Sequence, residues 1–155
     1  MIICATGFVG SAILDELVER AHKVTAVVRH ADKVAKSGVK RLLIVGGAGT
    51  LFVKPGLRVV NSGAIPAEIM GGARPLGNFY LNTLMKEDGI DWVFFSPAGT
   101  FEEHGRKMGK FRLGKDDLVV DAEGKSHISV QDYAVAMVDE LEKPQHHKER
   151  FAIGY

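Results

Sequence analysis

A tight glycine turn near the N-terminus limits the folds open to this chain more than any other stretch of it. The apolar run Met1-Ile2-Ile3-Cys4 stops at Ala5-Thr6-Gly7-Phe8-Val9-Gly10, where two glycines stand three apart. From there Val9, Ala12, Ile13, Leu17 and Ala21 recur at spacings of three and four. Asp15, Glu16, Glu19 and Arg20 fall mostly between them, which is the pattern of an amphipathic helix. Val24-Thr25-Ala26-Val27-Val28 follows, apolar on both faces, as suits a strand of a parallel sheet covered on both sides. Strand, helix and strand in about thirty residues make a βαβ unit, with the right-handed crossover such units adopt.

The remaining pattern continues the alternation. Ala31 to Gly38 is read as a brief helix ended by its glycine, and Leu42-Leu43-Ile44-Val45 as a third buried strand running into Gly46-Gly47-Ala48-Gly49. Arg58-Val59-Val60 is a short extended piece. Residues 66–88 are helical in pattern, and Gly71-Gly72 with Pro75 predict a break into two segments. Asp91-Trp92-Val93-Phe94-Phe95 is a fourth strand that ends at Ser96-Pro97-Ala98-Gly99. Phe111 to Leu113 and Leu118 to Asp121 are expected to pair as an irregular hairpin around Gly114. Ser129 has the place of a helix N-cap, with Asp132 three residues on, and that helix runs to Pro144. Phe151-Ala152-Ile153 closes the chain as an edge strand. The expectation is one α/β domain over residues 1–155, Rossmann-like, with a three-layer parallel sheet.

Composition narrows the function classes. Hydrophobic residues make up 46% and charged residues 25% of 155, an ordinary globular balance. Twenty basic against nineteen acidic side chains leave +1, with no polybasic run, so no nucleic-acid or membrane partner is expected. Cys4 is the one cysteine, which excludes an internal disulfide and fits a reducing, cytoplasmic setting. The apolar stretch from Leu42 to Val53 is too short for a bilayer.

The glycine turn also suggests a site. Without side chains at Gly7 and Gly10 the backbone can approach a pyrophosphate, and the unpaired first amides of the helix point at it with the favourable end of the dipole. Thr6, Gly7, Phe8, Val9 and Gly10 are therefore cofactor-binding candidates, against the alternative of a merely structural turn. At the end of the second strand, where a carboxylate would bind ribose hydroxyls, stand Arg29 and His30. A guanidinium there can clamp a 2′-phosphate, so NADP(H) is favoured over NAD(H); the other reading is a solvated arginine.

ATGFVG after a strand, TAVVRH, RLLIVGGAG, DWVFFSPAGTF and HISVQDYAVAMVDELEKP, in that order, resemble the NmrA-like, NAD(P)H-binding branch of the atypical short-chain dehydrogenases/reductases. The resemblance covers nearly all of the chain. It implies a Rossmann fold, bound NADP(H) or NAD(H), and flavin- or quinone-reductase-like chemistry. It places Gly7 to Gly10 at the pyrophosphate and Arg29 at the 2′-phosphate. Gly46, Gly47 and Ala48 would line the nicotinamide side, as would Ser96, Pro97 and Ala98. Three departures stand out. Cys4 occupies the place of the family's first glycine, and Met1 leaves the first strand short. Only some thirteen residues separate the second and third strands, so one or two central βα units, on the order of 60 residues, are missing between Arg29 and Arg41. A missing central strand leaves edge groups unpaired, so a homodimer or a rearranged sheet is expected.

An acid–base pair is harder to find. Tyr80 and Lys86 are six apart, not the four of a shared helical face, and Tyr80 and Tyr133 read as packing. His146-His147 reads as a surface tail feature, not a metal site, and His104-Gly105-Arg106-Lys107 as a flexible basic loop. Hydride transfer between stacked rings asks little acid–base help of the protein. Ser96 is a weak candidate proton donor, and Phe101 a stacking candidate. The expected function is an NADP(H)-dependent oxidoreductase acting on a small aromatic acceptor. The alternatives are a non-catalytic redox-sensing regulator and a sugar-nucleotide epimerase-like enzyme.

Overall fold

A computed structural model describes residues 2–3, 7–24, 26–27 and 41–155. Its elements in chain order are β1 (Ile2–Ile3), α1 (Phe8–Glu19), β2 (Ala26–Val27), β3 (Arg41–Val45), β4 (Phe52–Lys54), β5 (Leu57–Arg58), α2 (Ala67–Asn82), β6 (Asp91–Ser96), β7 (Thr100–Glu102), β8 (Arg112–Gly114), β9 (His127–Ser129), α3 (Val130–Glu142) and β10 (Glu149–Gly154). The helix read over Ala31 to Gly38 lies outside the described residues.

The main sheet has the order β3-β6-β10-β8, parallel except for β8, which runs antiparallel to β10. Strand alternation sorts β6 into two faces. Val93 and Phe95 join Phe151, Ile153, the α1 residues Ile13 and Leu17, and the α3 residues Tyr133, Met137 and Val138 in one core. Trp92 and Phe94 pack on the other side against Tyr80 of α2 and against Leu84. Helices thus cover both faces of a mostly parallel sheet, the α/β three-layer arrangement. Among the described residues, β1 and β2 pair in parallel with each other and not with the main sheet.

Three expectations need correction. β10 is an interior strand, between β6 and β8, and Phe151, Ala152 and Ile153 are buried on both faces as an interior strand requires. Residues 112–114 accordingly pair with β10, not with 118–121, whose neighbourhood instead meets Phe52 through backbone bonds from Phe52 to Asp116 and from Leu118 to Phe52. Helix α2 is one continuous helix through Gly71, Gly72 and Pro75. The carbonyl four residues before Pro75, which loses its amide partner there, belongs to exposed Gly71 and can bond water instead. Packing of Leu76 and Tyr80 on the sheet then holds the helix together.

Ser129 does cap α3, its hydroxyl accepting from the Asp132 amide at 3.1 Å. The Asp132 carboxylate turns away and accepts from the amides of Met108 (2.9 Å) and Gly109 (2.8 Å) and from the Tyr155 hydroxyl (2.7 Å). With Lys107 bonded to Glu16 and Glu19, the 104–107 loop is pinned at its end, not flexible.

The opposite end of the sheet is clamped by ions. Arg41 bonds Asp91 and Glu140 at 2.5 Å each, His146 bonds Glu140 at 2.8 Å and His147 bonds Asp91 at 3.0 Å. The two histidines therefore belong to the clamp and not to a tail. Burial pushes Glu140 up, but bonds from the His146 ring and from the amides of His146 and Gln145 outweigh it and hold the carboxyl below its ordinary value. In Asp91 burial is likewise outweighed, by His147 and Arg41. A folded-state value depressed below the unfolded one gives stability that is complete above about pH 4.5 and lost as pH falls. Denaturant midpoints should drop from pH 5 to pH 3. Glu140→Gln should cost about 1–3 kcal/mol at neutral pH and flatten that acid limb; an unchanged limb would remove Glu140 from the clamp.

Candidate functional site

The C-terminal ends of parallel strands are where α/β sheets bind ligands, and here β3 and β6 end side by side. The Gly46 amide donates to the Phe95 carbonyl at 2.7 Å, and the Tyr133 hydroxyl donates to the same oxygen at 2.7 Å. Burial pushes the Tyr133 phenol well up, so it remains a hydrogen-bond donor and not a base. Position 46 has to be glycine, since a Cβ there would stand 2.6 Å from the Phe94 ring and 2.8 Å from the Phe95 carbonyl. The chain then turns through the 3-10 segment Ala48–Thr50 and diverges from the loop after β6, leaving a cleft between them.

That cleft has a volume of about 900 Å³. Its walls are Gly47 to Thr50 on one side, Pro97 to Phe101 on another, and a face of α2 that carries Gly72, Ala73, Leu76 and Gly77. Small residues let the helix come close: a Cβ on Gly77 would meet the Thr50 methyl at 2.9 Å, and one on Gly47 would meet Leu76 at 3.1 Å. Ser126 fixes the far wall, its hydroxyl accepting from the Gly99 amide at 2.9 Å and its carbonyl from the Thr100 amide at 2.8 Å. None of the described lining residues carries an ionisable side chain; the polar groups are the hydroxyls of Thr50, Thr100 and Ser126 and the backbone.

Of the residues expected at a site, Gly47, Ala48, Pro97 and Ala98 line the cleft together, and Phe101 joins them. Gly46, just after β3, and Ser96, the last residue of β6, each stop one residue short of it. Ser96 is fully buried, and its hydroxyl has no hydrogen-bond partner among the described residues. Thr6, Arg29 and His30, with Cys4, lie outside the described residues. Gly7 is the N-cap of α1, with no side-chain cap and no acidic residue in the first turn. Phe8 and Val9 then diverge: Val9 packs into the core, while half-exposed Phe8 stands edge-on to Phe101, ring centres 5.4 Å apart. This aromatic contact ties the glycine turn to the cleft wall. Tyr80 is buried, with the Arg150 guanidinium 4.8 Å above its ring, and takes no part in the cleft. Sequence reasoning missed the α2 wall; its signal was the small residues Gly72, Ala73 and Gly77 at helical spacing.

No group of three or more His, Cys, Asp or Glu among the described residues could hold a metal ion. No described helix is long and apolar enough to cross a membrane.

No family model matches the chain. The uncharacterized Bacillus subtilis protein YwnB is 34% identical to it over an alignment that covers 98% of this chain and 96% of the relative. That alignment is 205 residues long against the 155 of this chain, so fifty or more positions of the relative have no counterpart here. Among solved structures, a candidate epimerase from Bacteroides thetaiotaomicron is 46% identical, with a TM-score of 0.93 over 99% of this chain and 94% of that one. A candidate NADH-flavin reductase from Streptococcus pneumoniae is 28% identical, with a TM-score of 0.86 over 98% and 96%. The glycine turn, the three layers and the cleft beyond β3 and β6 agree with these likenesses, and the chain belongs to the NmrA-like, NAD(P)-binding branch of the atypical short-chain dehydrogenases/reductases.

Proposed function

We propose that the chain is an NADP(H)-dependent oxidoreductase that delivers hydride to a small aromatic acceptor such as a flavin or quinone. The observation that carries this reading is the cleft itself: wide enough for flat rings, apolar, and without an ionisable group among its described walls. Proton abstraction from carbon would need a positioned base, whereas hydride transfer between rings needs chiefly orientation and the exclusion of water.

The chain's own residues fit a dinucleotide. The first amides of α1 have no side-chain cap and meet no acid in their first turn, which suits the pyrophosphate. Gly47 and Ala48 with Pro97 and Ala98 would bound the nicotinamide, and the bound cofactor would supply the hydride. Phe101, braced by Phe8 and by Tyr133 at 4.9 Å, offers an aromatic wall at the mouth. Because the described walls hold no acid, the acceptor takes its proton from water, which reduced flavins and quinones can do. The preference for NADP(H) rests on Arg29 as a residue type. The streptococcal relative's name agrees with reductase chemistry. The epimerase reading, suggested by the name of the Bacteroides relative, lacks a tyrosine in the cleft.

Loss of NADPH absorbance on addition of free flavin or a quinone tests the activity; saturable NADPH binding without turnover would instead identify a regulator. Arg29→Asp should weaken NADPH about 100-fold, the worth of one lost charged hydrogen-bonded clamp, and NADH far less. Equal losses would end the cofactor assignment. Gly72 lines the cleft and an added Cβ there meets nothing within 4 Å. Gly72→Phe should therefore fold at least as stably as the parent, with a gain of about 0.3–0.5 kcal/mol in helix propensity, yet abolish turnover. Full turnover in that variant would place the chemistry elsewhere.

A further inference from the structure

Behind the wall formed by Thr50 and Gly77 lies a second, smaller cavity of about 360 Å³, and its chemistry is the opposite of the cleft's. It is lined by Arg58, Arg74, Asn61 and Asn78 together with Thr50 and apolar neighbours, and no carboxylate lines it. Among the described residues neither Arg58 nor Arg74 has an ion pair: every described salt bridge is made by other cations. Arg58 is nonetheless held in place, half-buried on β5 with its guanidinium 5.2 Å over the Phe52 ring. Arg74 and Asn78 stand four apart on α2, hence on one helical face.

Thr50 supplies the second, independent sign. It is 3% exposed, and its hydroxyl oxygen accepts from Nη1 of Arg150 at 2.7 Å. Arg150 is itself buried and paired with Asp116. With that oxygen committed to a cation, the Thr50 hydroxyl keeps its proton to donate, and no described side chain or carbonyl takes it. A buried donor left without an acceptor costs free energy, and exposed Arg74 and half-buried Arg58 bring two like charges to one pocket whose lining includes no carboxylate. An oxyanion would satisfy all of them, since the planar guanidinium fork matches carboxylate and phosphate oxygens.

We infer that this cavity is an oxyanion-binding site, separate from the cofactor cleft, that takes the carboxylate or phosphate group of a small ligand. Arg58 and Arg74 supply the charge, Asn61 and Asn78 amide donors, and Thr50 a hydroxyl polarised by Arg150. Because Thr50 and Gly77 belong to both cavities, an anion bound here braces one wall of the cleft.

The probes are inorganic phosphate and succinate, titrated by calorimetry and by thermal unfolding, with sodium chloride at matched ionic strength as the control. Saturable binding of at least one oxyanion, beyond the chloride effect, is expected. The double variant R58Q/R74Q should lose it tenfold or more, while its NADPH binding stays as in the parent. Saturation by phosphate alone assigns the site to phosphoryl groups, and by succinate alone to carboxylates; both outcomes support it. Far-UV circular dichroism of the double variant checks that it is folded, and Arg74→Gln alone, at an exposed position, should already weaken the anion. A parent that saturates with neither probe, or a double variant that binds like the parent, overturns the site.

Discussion

The carbonyl oxygen of Phe95 is the point on which the rest of the architecture turns. It accepts from the Gly46 amide and from the Tyr133 hydroxyl, so one atom joins the end of β3, the centre of the sheet and α3. The Phe95 ring lies between those of Tyr133 and Phe151, with centres 4.3 and 4.0 Å away. Ring contacts continue outward in both directions, tilted and then edge-on through Phe101 to Phe8 at the front of α1, and stacked from Phe151 to His146 in the ionic clamp. A continuous row of rings thus crosses the core from the front of α1 to the opposite end of the sheet. Such stacks add to area burial and, in a close-packed interior, transmit displacement without absorbing it.

From that atom the cleft follows by exclusion. The bond that fixes Gly46 brings its backbone so near Phe94 that no Cβ fits, and the chain can leave the sheet only by turning away from β6. Gly47 to Thr50 then face a helix whose small residues permit close approach. The gap between this turn and the loop after β6 is what remains. An α/β sheet opens at the C-terminal ends of its strands for reasons of connectivity; here the opening is kept by one hydrogen bond and a run of residues too small to fill it.

Much of this was legible in the residues themselves. Apolar runs of four to six marked β3 and β6, and it was the family resemblance that pointed to Gly47, Ala48, Pro97 and Ala98 at their ends, which line one cleft. The Ser129 cap was legible because its chemistry is local. What escaped was decided by tertiary context. Pro75 and the paired glycines argue for a broken helix on propensity alone, yet packing against Trp92 and Phe94 outweighs a preference of that size. Phe151-Ala152-Ile153 looks the same at an edge as in the interior, and only pairing with β8 distinguishes them. Arg58 and Arg74 are sixteen residues apart, and nothing in the sequence announces that they share a cavity.

The short connection between β2 and β3 puts an unusual demand on α1. In a continuous parallel sheet the first strand would be aligned by hydrogen bonds with a central neighbour, and the helix after it would inherit that alignment. Here β1 and β2 pair only with each other among the described residues, so α1 must be held by its contacts on the far side. Those contacts are specific. Ile13 and Leu17 pack into the α3 core, Arg20 bonds Asp139 and Glu142 at 2.8 Å each, and Lys107 bonds Glu16 at 2.6 Å. Burial would raise the Glu16 carboxyl, yet Lys107 and Arg20 together hold it below its ordinary value, so the anchor stays charged. Apolar packing fixes the depth of the helix and the ion pairs fix its rotation and register, which leaves Phe8 facing Phe101. The front of α1 is therefore aimed at the cleft by helix packing, a task that strand pairing performs in a full-length sheet.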